Sequence, residues 1–249
     1  MRMVNLAGDG NGYVGNPNLL PETAHTLSAT ADWHDASGQS WGVRLTPWVS
    51  QVHNYIDAKR CSGGSGTMSV CNAANLTAQQ KFVYLRFDNA DARLWGFDVS
   101  GFMVLGKTDW LGALRLDGSL SQTRGHNQDT GDGLYNTKPL HARLALSQQS
   151  GAWSSTAEML LVSAKTRVSA ERNELATAGY GLLNLRTSYQ WQNWRLDLGI
   201  DNLFDRFYAH PQSGAYVGQG ATMSGTAVPW GVRVPGMGRS FHAGLTMKF

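Results

Sequence analysis

The chain is 249 residues long, 42% hydrophobic and only 16% charged, with 29 glycines, 9 tryptophans and a formal net charge of +3. No apolar run approaches the roughly 20 residues a membrane helix needs, which excludes a helical membrane protein. The basic residues are scattered singly, without the stripes by which nucleic-acid binders hold phosphate, so nucleic acid is set aside as a partner. Soluble domains carry about 25% charged residues; low charge with abundant Gly and Trp tilts toward a turn-rich β-protein with interfacial aromatics.

Met1 to Gly8 lack the apolar core of roughly 7 to 15 residues that a secretory signal requires, and Gly8-Asp9-Gly10-Asn11-Gly12 reads as loop. An upstream portion is therefore expected; residues 1–22 read as an external loop and 23–249 as strands and loops. From His25, alternation puts Leu27, Ala29, Ala31 and Trp33 on one face and Thr26, Ser28, Thr30 and Asp32 on the other. A tight turn at Ala36 to Gln39 leads into Trp41, Val43, Leu45, Pro47 and Val49, set against Gly42, Arg44, Thr46 and Ser50. A long polar connection to about Gln80 contains Cys61 and Cys71. In an oxidising compartment these would close the loop as a disulfide, with two free thiols as the alternative.

Phe82 to Leu105 reads as a long strand with Trp95, Phe97, Val99 and Met103 in register, followed by a turn at Gly106-Lys107-Thr108-Asp109. Leu114, Leu116, Gly118 and Leu120 alternate with Arg115, Asp117, Ser119 and Ser121, up to a long loop from Gly125 to Gly133. The pattern recurs in Leu140, Ala142, Leu144 and Leu146, and after a short turn at Gln149-Ser150-Gly151 in Trp153, Ser155, Ala157, Met159 and Leu161. Beyond a loop at Ala170 to Ala178, Leu183, Leu185, Thr187 and Tyr189 face Trp194, Leu196, Leu198 and Ile200 across the short turn Trp191-Gln192-Asn193. The closing strand alternates Phe241, Ala243, Leu245, Met247 and Phe249 against His242, Gly244, Thr246 and Lys248.

About nine strands result, many with the ten or so residues that a tilted membrane crossing needs, joined by alternating short turns and long loops. Trp33, Trp41, Trp110, Trp153, Tyr189, Trp191 and Trp194 sit beside turns, as an aromatic girdle would. A soluble sandwich has shorter strands and no long-short order. The reading is an all-β, transmembrane antiparallel β-barrel in outer-membrane lipid. An odd strand count starting outside leaves bare edges that lipid does not tolerate, so these strands are expected to be part of a larger barrel.

Four phrases resemble the TonB-dependent outer-membrane receptors. Asn16-Pro17-Asn18-Leu19-Leu20-Pro21-Glu22 is similar to that family's NPxLxPE loop, and Ala92-Arg93-Leu94-Trp95-Gly96-Phe97-Asp98 to its A-R-x-x-G-x-E strand, with Asp98 in place of glutamate. Asn202-Leu203-Phe204-Asp205-Arg206-Phe207-Tyr208 resembles NLFDxxY, and Gly238-Arg239-Ser240-Phe241 through Phe249 the closing strand. The resemblance implies the last nine or so strands of a 22-stranded barrel without the plug, a TonB energy-coupling complex acting through the missing N-terminal region, and a barrel-assembly machinery that reads Phe241 and Phe249. It further implies a metal or metal-chelate substrate and the outer membrane of a Gram-negative bacterium.

The stretch from His210 to Gly220, with Val228-Pro229-Trp230-Gly231 and Val234 to Arg239, looks like the last external loop of the copper-receptor branch. His53, Met68, His126, His210, Met223 and Met237 are soft or borderline donors that suit copper, but no two have a ligand spacing, so no metal ligand is assigned. No G-x-S-x-G, HExxH or P-loop pattern occurs, so neither a catalytic group nor a cofactor site is expected. Arg44, Asp98, Arg115, Asp117, Glu158, Arg186, Arg195 and Asp197 are expected inside, paired with each other or with a plug. The alternatives are an iron-siderophore receptor of the same family, a soluble all-β binding module and a passive porin.

Overall fold

The computed structural model describes residues 3–5, 12–60, 84–172, 174–216 and 232–248; Cys61, Cys71, Met68, Met223 and Phe249 lie outside them. The described residues form strands β1 (Met3–Asn5), β2 (Gly12–Val14), β3 (Thr23–Ser28), β4 (Ala31–His34), β5 (Trp41–Arg60), β6 (Tyr84–Thr108) and β7 (Gly112–Asn127). They continue with β8 (His141–Ser150), β9 (Trp153–Val162), β10 (Tyr180–Trp191), β11 (Trp194–Asp201), β12 (Ala215–Tyr216), β13 (Val232–Arg233) and β14 (Ser240–Met247). β12 and β13 form a separate ribbon, and all the others belong to one 12-stranded sheet.

β3 and β4 both pair with β5, on successive stretches, and so act as one interrupted wall strand. With β5 to β11 and β14, each antiparallel to its neighbour, that makes the nine expected wall strands. β1 and β2 fall in the stretch read as loop, and β2 runs parallel to the outer end of β6. Short turns at 35–40, 109–111, 151–152 and 192–193 alternate with connections at 61–83, 128–140, 163–179 and 202–239, which sets all the short turns at one end of the sheet.

Two local expectations are corrected. The strand read as continuous from His25 breaks at Ala29 and Thr30, opposite Pro47 of β5; proline offers no amide to the ladder, and only the Ala29 N–H reaches the Pro47 carbonyl, at 3.2 Å. The turn expected at Gly106 to Asp109 comes later, because β6 runs to Thr108. The register shifts between Val104 and Gly106, and Gly106 takes φ 104° there, a bulge rather than a reversal.

The register separates two faces. One ladder row reads Trp41, Met103, Leu116, Leu146, Ala157, Leu185, Ile200 and Phe241, apolar throughout. The adjacent row on the opposite face reads Phe102, Asp117, Ala145, Glu158 and Asn184. Side chains of the apolar face stand open: Leu27, Phe241 and Leu245 are 74%, 71% and 64% exposed. In water such a continuous surface would be an aggregation hazard; in hydrocarbon it is the solvated face.

Trp110, Trp153, Trp191 and Trp194 stand at the short-turn end, with Trp153 and Tyr189 in ring contact at 4.7 Å. Among the described residues no second sheet covers either face. Ala58 with Leu85, and Val52 with Ala92 and Leu134, instead form two small cores at the long-loop end, the second where the 128–140 connection folds back.

Candidate functional site

The polar face is a wall of ion pairs. Arg44 reaches Asp32 at 2.7 Å, Arg115 reaches Asp117 at 3.0 Å and Arg195 reaches Asp197 at 2.9 Å. Across β8, β9, β10 and the end of β11 they merge: Arg143 and Arg186 share Glu158, Asn184 donates to the same carboxylate at 3.0 Å, and Arg186 continues to Asp201 at 2.8 Å. Seven of the eight charges expected inside are thus paired with charges on this face, and Asp98 lies between Thr46 and Ser121. Exposed pairs of this kind contribute little stability. What they do is neutralise the wall: neither sign dominates, so the surface does not concentrate ions of one charge.

A second cluster locks the long-loop end. Lys165 and Glu174, 2% and 9% exposed, form a buried ion pair in the 163–179 connection. The Glu174 carboxylate also accepts the N–H groups of Ser169 at 2.8 Å and Asn136 at 2.9 Å, which ties that loop to the 128–140 loop. Asp57, buried at the outer end of β5, meets Arg172 at 3.4 Å and accepts from Asn127 at 3.0 Å, while the Arg172 guanidinium lies 4.5 Å from the Tyr135 ring. Arg60 donates to the Ala170 carbonyl at 2.9 Å and its N–H to Glu171 at 2.7 Å. The 128–140 and 163–179 loops and the outer end of β5 are therefore a cross-braced assembly.

The phrase residues serve structure at three joints. In the first, Asn16 donates to the Phe87 carbonyl at 3.1 Å, and Glu22 accepts the Ile56 N–H at 2.6 Å, just past the bulge between Val52 and Tyr55, where β3 no longer covers β5. Pro17 and Pro21 stiffen the segment between these anchors. In the second, Gly96 lies under the Trp48 ring: a Cβ there would fall 2.8 Å from it and strike the Gln122 carbonyl.

The third joint ties the exit of β11 to the start of β14. Asn202, at φ 51°, donates to the Arg206 and Met237 carbonyls at 2.9 and 3.2 Å and accepts the Arg206 N–H at 2.8 Å. Leu203 N–H donates to the Leu183 carbonyl at 2.8 Å, and Asp205 accepts the Arg239 N–H at 2.8 Å. Gly238 sits against the Asp205 carboxylate, while Tyr208 stacks at 4.5 Å on Tyr180 and fills the space beside Gly236. Phe204 stays 75% exposed, and Phe241 opens β14 on the apolar face.

The donor-rich side chains do not converge. His53 meets Asp91 at 3.2 Å and His25 in an edge contact at 6.2 Å; His126 stands opposite Arg93. His210 accepts the Gln212 N–H on Nδ1 at 3.2 Å, and burial, helped by Lys138, keeps its pKa below the usual imidazole value. Among the described residues no three His, Cys, Asp or Glu side chains gather as a metal site. Lys165, Glu174 and Arg172 carry no sequence signal, because polar residues in a loop have no periodicity to show which are buried, and Asp57 lies at the end of β5, where nothing in the alternation shows that a loop covers it.

Residues 3–203 match the family described as TonB dependent receptor-like, beta-barrel. The heme/hemopexin utilization protein C of Haemophilus influenzae is 26% identical over 214 residues, 80% of this chain and 28% of that protein. Among solved structures, the copper transporter OprC has a TM-score of 0.72 at 22% identity, over 94% of this chain and 33% of its own. The ferric enterobactin receptor PfeA from Pseudomonas aeruginosa has a TM-score of 0.63 at 19% identity, over 98% and 35%. The chain spans about a third of the length of these relatives. The two-faced antiparallel wall, its alternating connections and the match over residues 3–203 place this chain in the TonB dependent receptor-like β-barrel family, proteins of the Gram-negative outer membrane.

Proposed function

We propose that the chain supplies the C-terminal strands of a receptor barrel for uptake of a metal or metal chelate, with a copper species as the substrate. The observation that carries uptake is the neutralised, ion-paired polar wall roofed by cross-braced loops. Such a wall suits a passage that an internal domain fills and leaves, because the paired wall charges keep their partners when that domain moves, Asp98 alone of the eight standing between neutral neighbours. In this reading an energy-coupling partner acts through residues N-terminal to this chain, and the barrel-assembly machinery reads Phe241 and Phe249. Copper is supported by the likeness of the last long loop to the copper-receptor branch and by Met237 and His210 within it. The dispersal of the described donors means that the metal ligands would come from elsewhere.

A second reading, heme or another iron chelate, is favoured by the likeness to the heme/hemopexin utilization proteins of Haemophilus influenzae. Thermal unfolding of the full receptor in detergent, with copper, hemin or a ferric catecholate added, separates the two. Copper alone should raise the midpoint. Protection by hemin or the siderophore without copper removes the first reading, and protection by none of them removes metal uptake.

A further inference from the structure

The lipid-facing side has a gap at its long-loop end. Pairing of β7 with β8 stops at Ser121 and His141, whereas β7 continues against β6 as far as Asn127 opposite Ala92. The notch so formed lies between residues 122–125 on one side and 137–140 with 163–167 on the other. Its free volume is about 80 Å³. One buried water needs roughly 10–15 Å³ on the same measure, so a phosphate group fits.

The lining is basic. Arg124, Lys138, Lys165 and Arg167 all contribute to it. Lys165 is neutralised by Glu174, but among the described residues none of the other three forms an ion pair with a carboxylate. Arg124 lies opposite Trp95, on the apolar face, with its guanidinium 5.5 Å from that ring. With the Gln122 amide oriented to satisfy both groups, its oxygen accepts from Arg124 Nε at 2.9 Å, which aims the guanidinium. Arg93, one residue pair further out on the same face, adds a fourth cation. The acid on this side, Asp91, is held by His53 at 3.2 Å.

Cations on a lipid-facing strand are tolerated only near the interface, and a half-exposed tryptophan such as Trp95 marks that level. There an uncompensated guanidinium or ammonium group meets the anionic headgroups of the leaflet, and arginine forks match phosphate oxygens in pairs. We propose that the notch between β7 and β8 binds the phosphate of an outer-leaflet lipid headgroup, through Arg124, Lys138 and Arg167. The lipid would plug the open edge of β7 at residues 122–124, between the last β8 pair at Ser121 and the point where Gly125 and Asn127 are hydrogen-bonded by the 128–140 loop, and so seal the wall at its outer rim.

The test uses the full receptor in phosphatidylcholine nanodiscs, with and without diphosphorylated lipid A, read by thermal unfolding and by native mass spectrometry for retained lipid. The phosphorylated lipid should raise the unfolding midpoint and remain bound, and its dephosphorylated form should do neither. The combined variant Arg124→Gln, Lys138→Gln, Arg167→Gln should weaken retention by about tenfold or more, the scale of losing charge-assisted contacts. Arg195→Gln, on the polar face, should leave it unchanged. Because the triple variant can suffer in folding, Lys138→Gln and Arg167→Gln are also measured singly; both side chains are exposed, and each should weaken retention by itself. Equal retention of the dephosphorylated lipid, or full retention in the charge variants, overturns the proposal. Saturation by inorganic phosphate at the same concentration as the lipid assigns the notch to the free ion and overturns the lipid source.

Discussion

Removing the charge of Glu174 should unlock the outer loops while leaving the barrel wall intact. Lys165 is 2% exposed, and besides Glu174 its ammonium has the Pro211 carbonyl at 3.5 Å. Glu174→Gln therefore leaves the buried cation with only neutral acceptors, the glutamine carbonyl and that of Pro211, and breaking a buried pair from one side costs about 3–5 kcal/mol. The same change leaves one acceptor oxygen where there were two: Ser169 N–H and Asn136 N–H bond different oxygens of the carboxylate, so one bond is lost and the other becomes neutral, at a cost of roughly 1–3 kcal/mol. Lys165→Met should cost less, because the carboxylate keeps its two backbone donors, and the double variant should recover part of the loss, as paired apolar replacements do.

The assay is hydrogen exchange of the Lys165 and Thr177 amides, which bond each other's carbonyls at 2.9 and 3.0 Å, and of the Glu174 amide, which bonds Ser169. About 3 kcal/mol is roughly two orders of magnitude in the opening equilibrium. Exchange in Glu174→Gln within a few-fold of wild type, or equal effects of the two single variants and their combination, would refute the argument from burial.

Gly236→Ala places a methyl group in the Tyr208 ring; the overpacking should cost about 1–3 kcal/mol and speed exchange of the Gly236 amide, which bonds the Tyr208 carbonyl at 2.7 Å. Replacing Glu22 by alanine removes the acceptor of the Ile56 N–H, so that amide should lose protection while those of β10 keep theirs. Asp35, in the first short turn, is held below the usual carboxylate range by the Ser37 hydroxyl and by the N–H groups of Trp41, Ser40 and Ser37. Its contribution is therefore present above the unfolded pKa of about 3.9 and is lost as pH falls toward the folded value. Protection of the Ser40 and Trp41 amides should fade on acidification, and Asp35→Asn should abolish that dependence. Deleting Phe249 should lower the amount of receptor assembled in the outer membrane, seen as loss of heat-modifiable gel mobility; unchanged assembly removes the insertion-signal role.

The period-two alternation carried the wall. Each strand buries nothing in protein on one side, so lipid selects apolar side chains at every second position, and Leu144, Leu146, Leu196 and Leu198 could be placed on the outer face from sequence alone. Short turns were legible where Gly or Asn had to reverse the chain, less so at Gly106, where the same residue serves a bulge. The phrase residues could be found but not interpreted, since nothing local shows that Asn202 spans to Met237 or Asp205 to Arg239.

What sequence by itself determined is the two-faced antiparallel wall and the side on which its long loops lie, because both follow from repeats within one or two strands. Tertiary structure alone decided which loop charges are buried, which wall charges share a carboxylate, and where β7 loses its neighbour. Lys165 and Glu174, Asp57 and Arg172, and the basic lining at Arg124, Lys138 and Arg167 are each assembled from segments whose spacing follows no period. Their energetics depend on desolvation, and that is set by how the loops fold over one another rather than by any pattern along the chain.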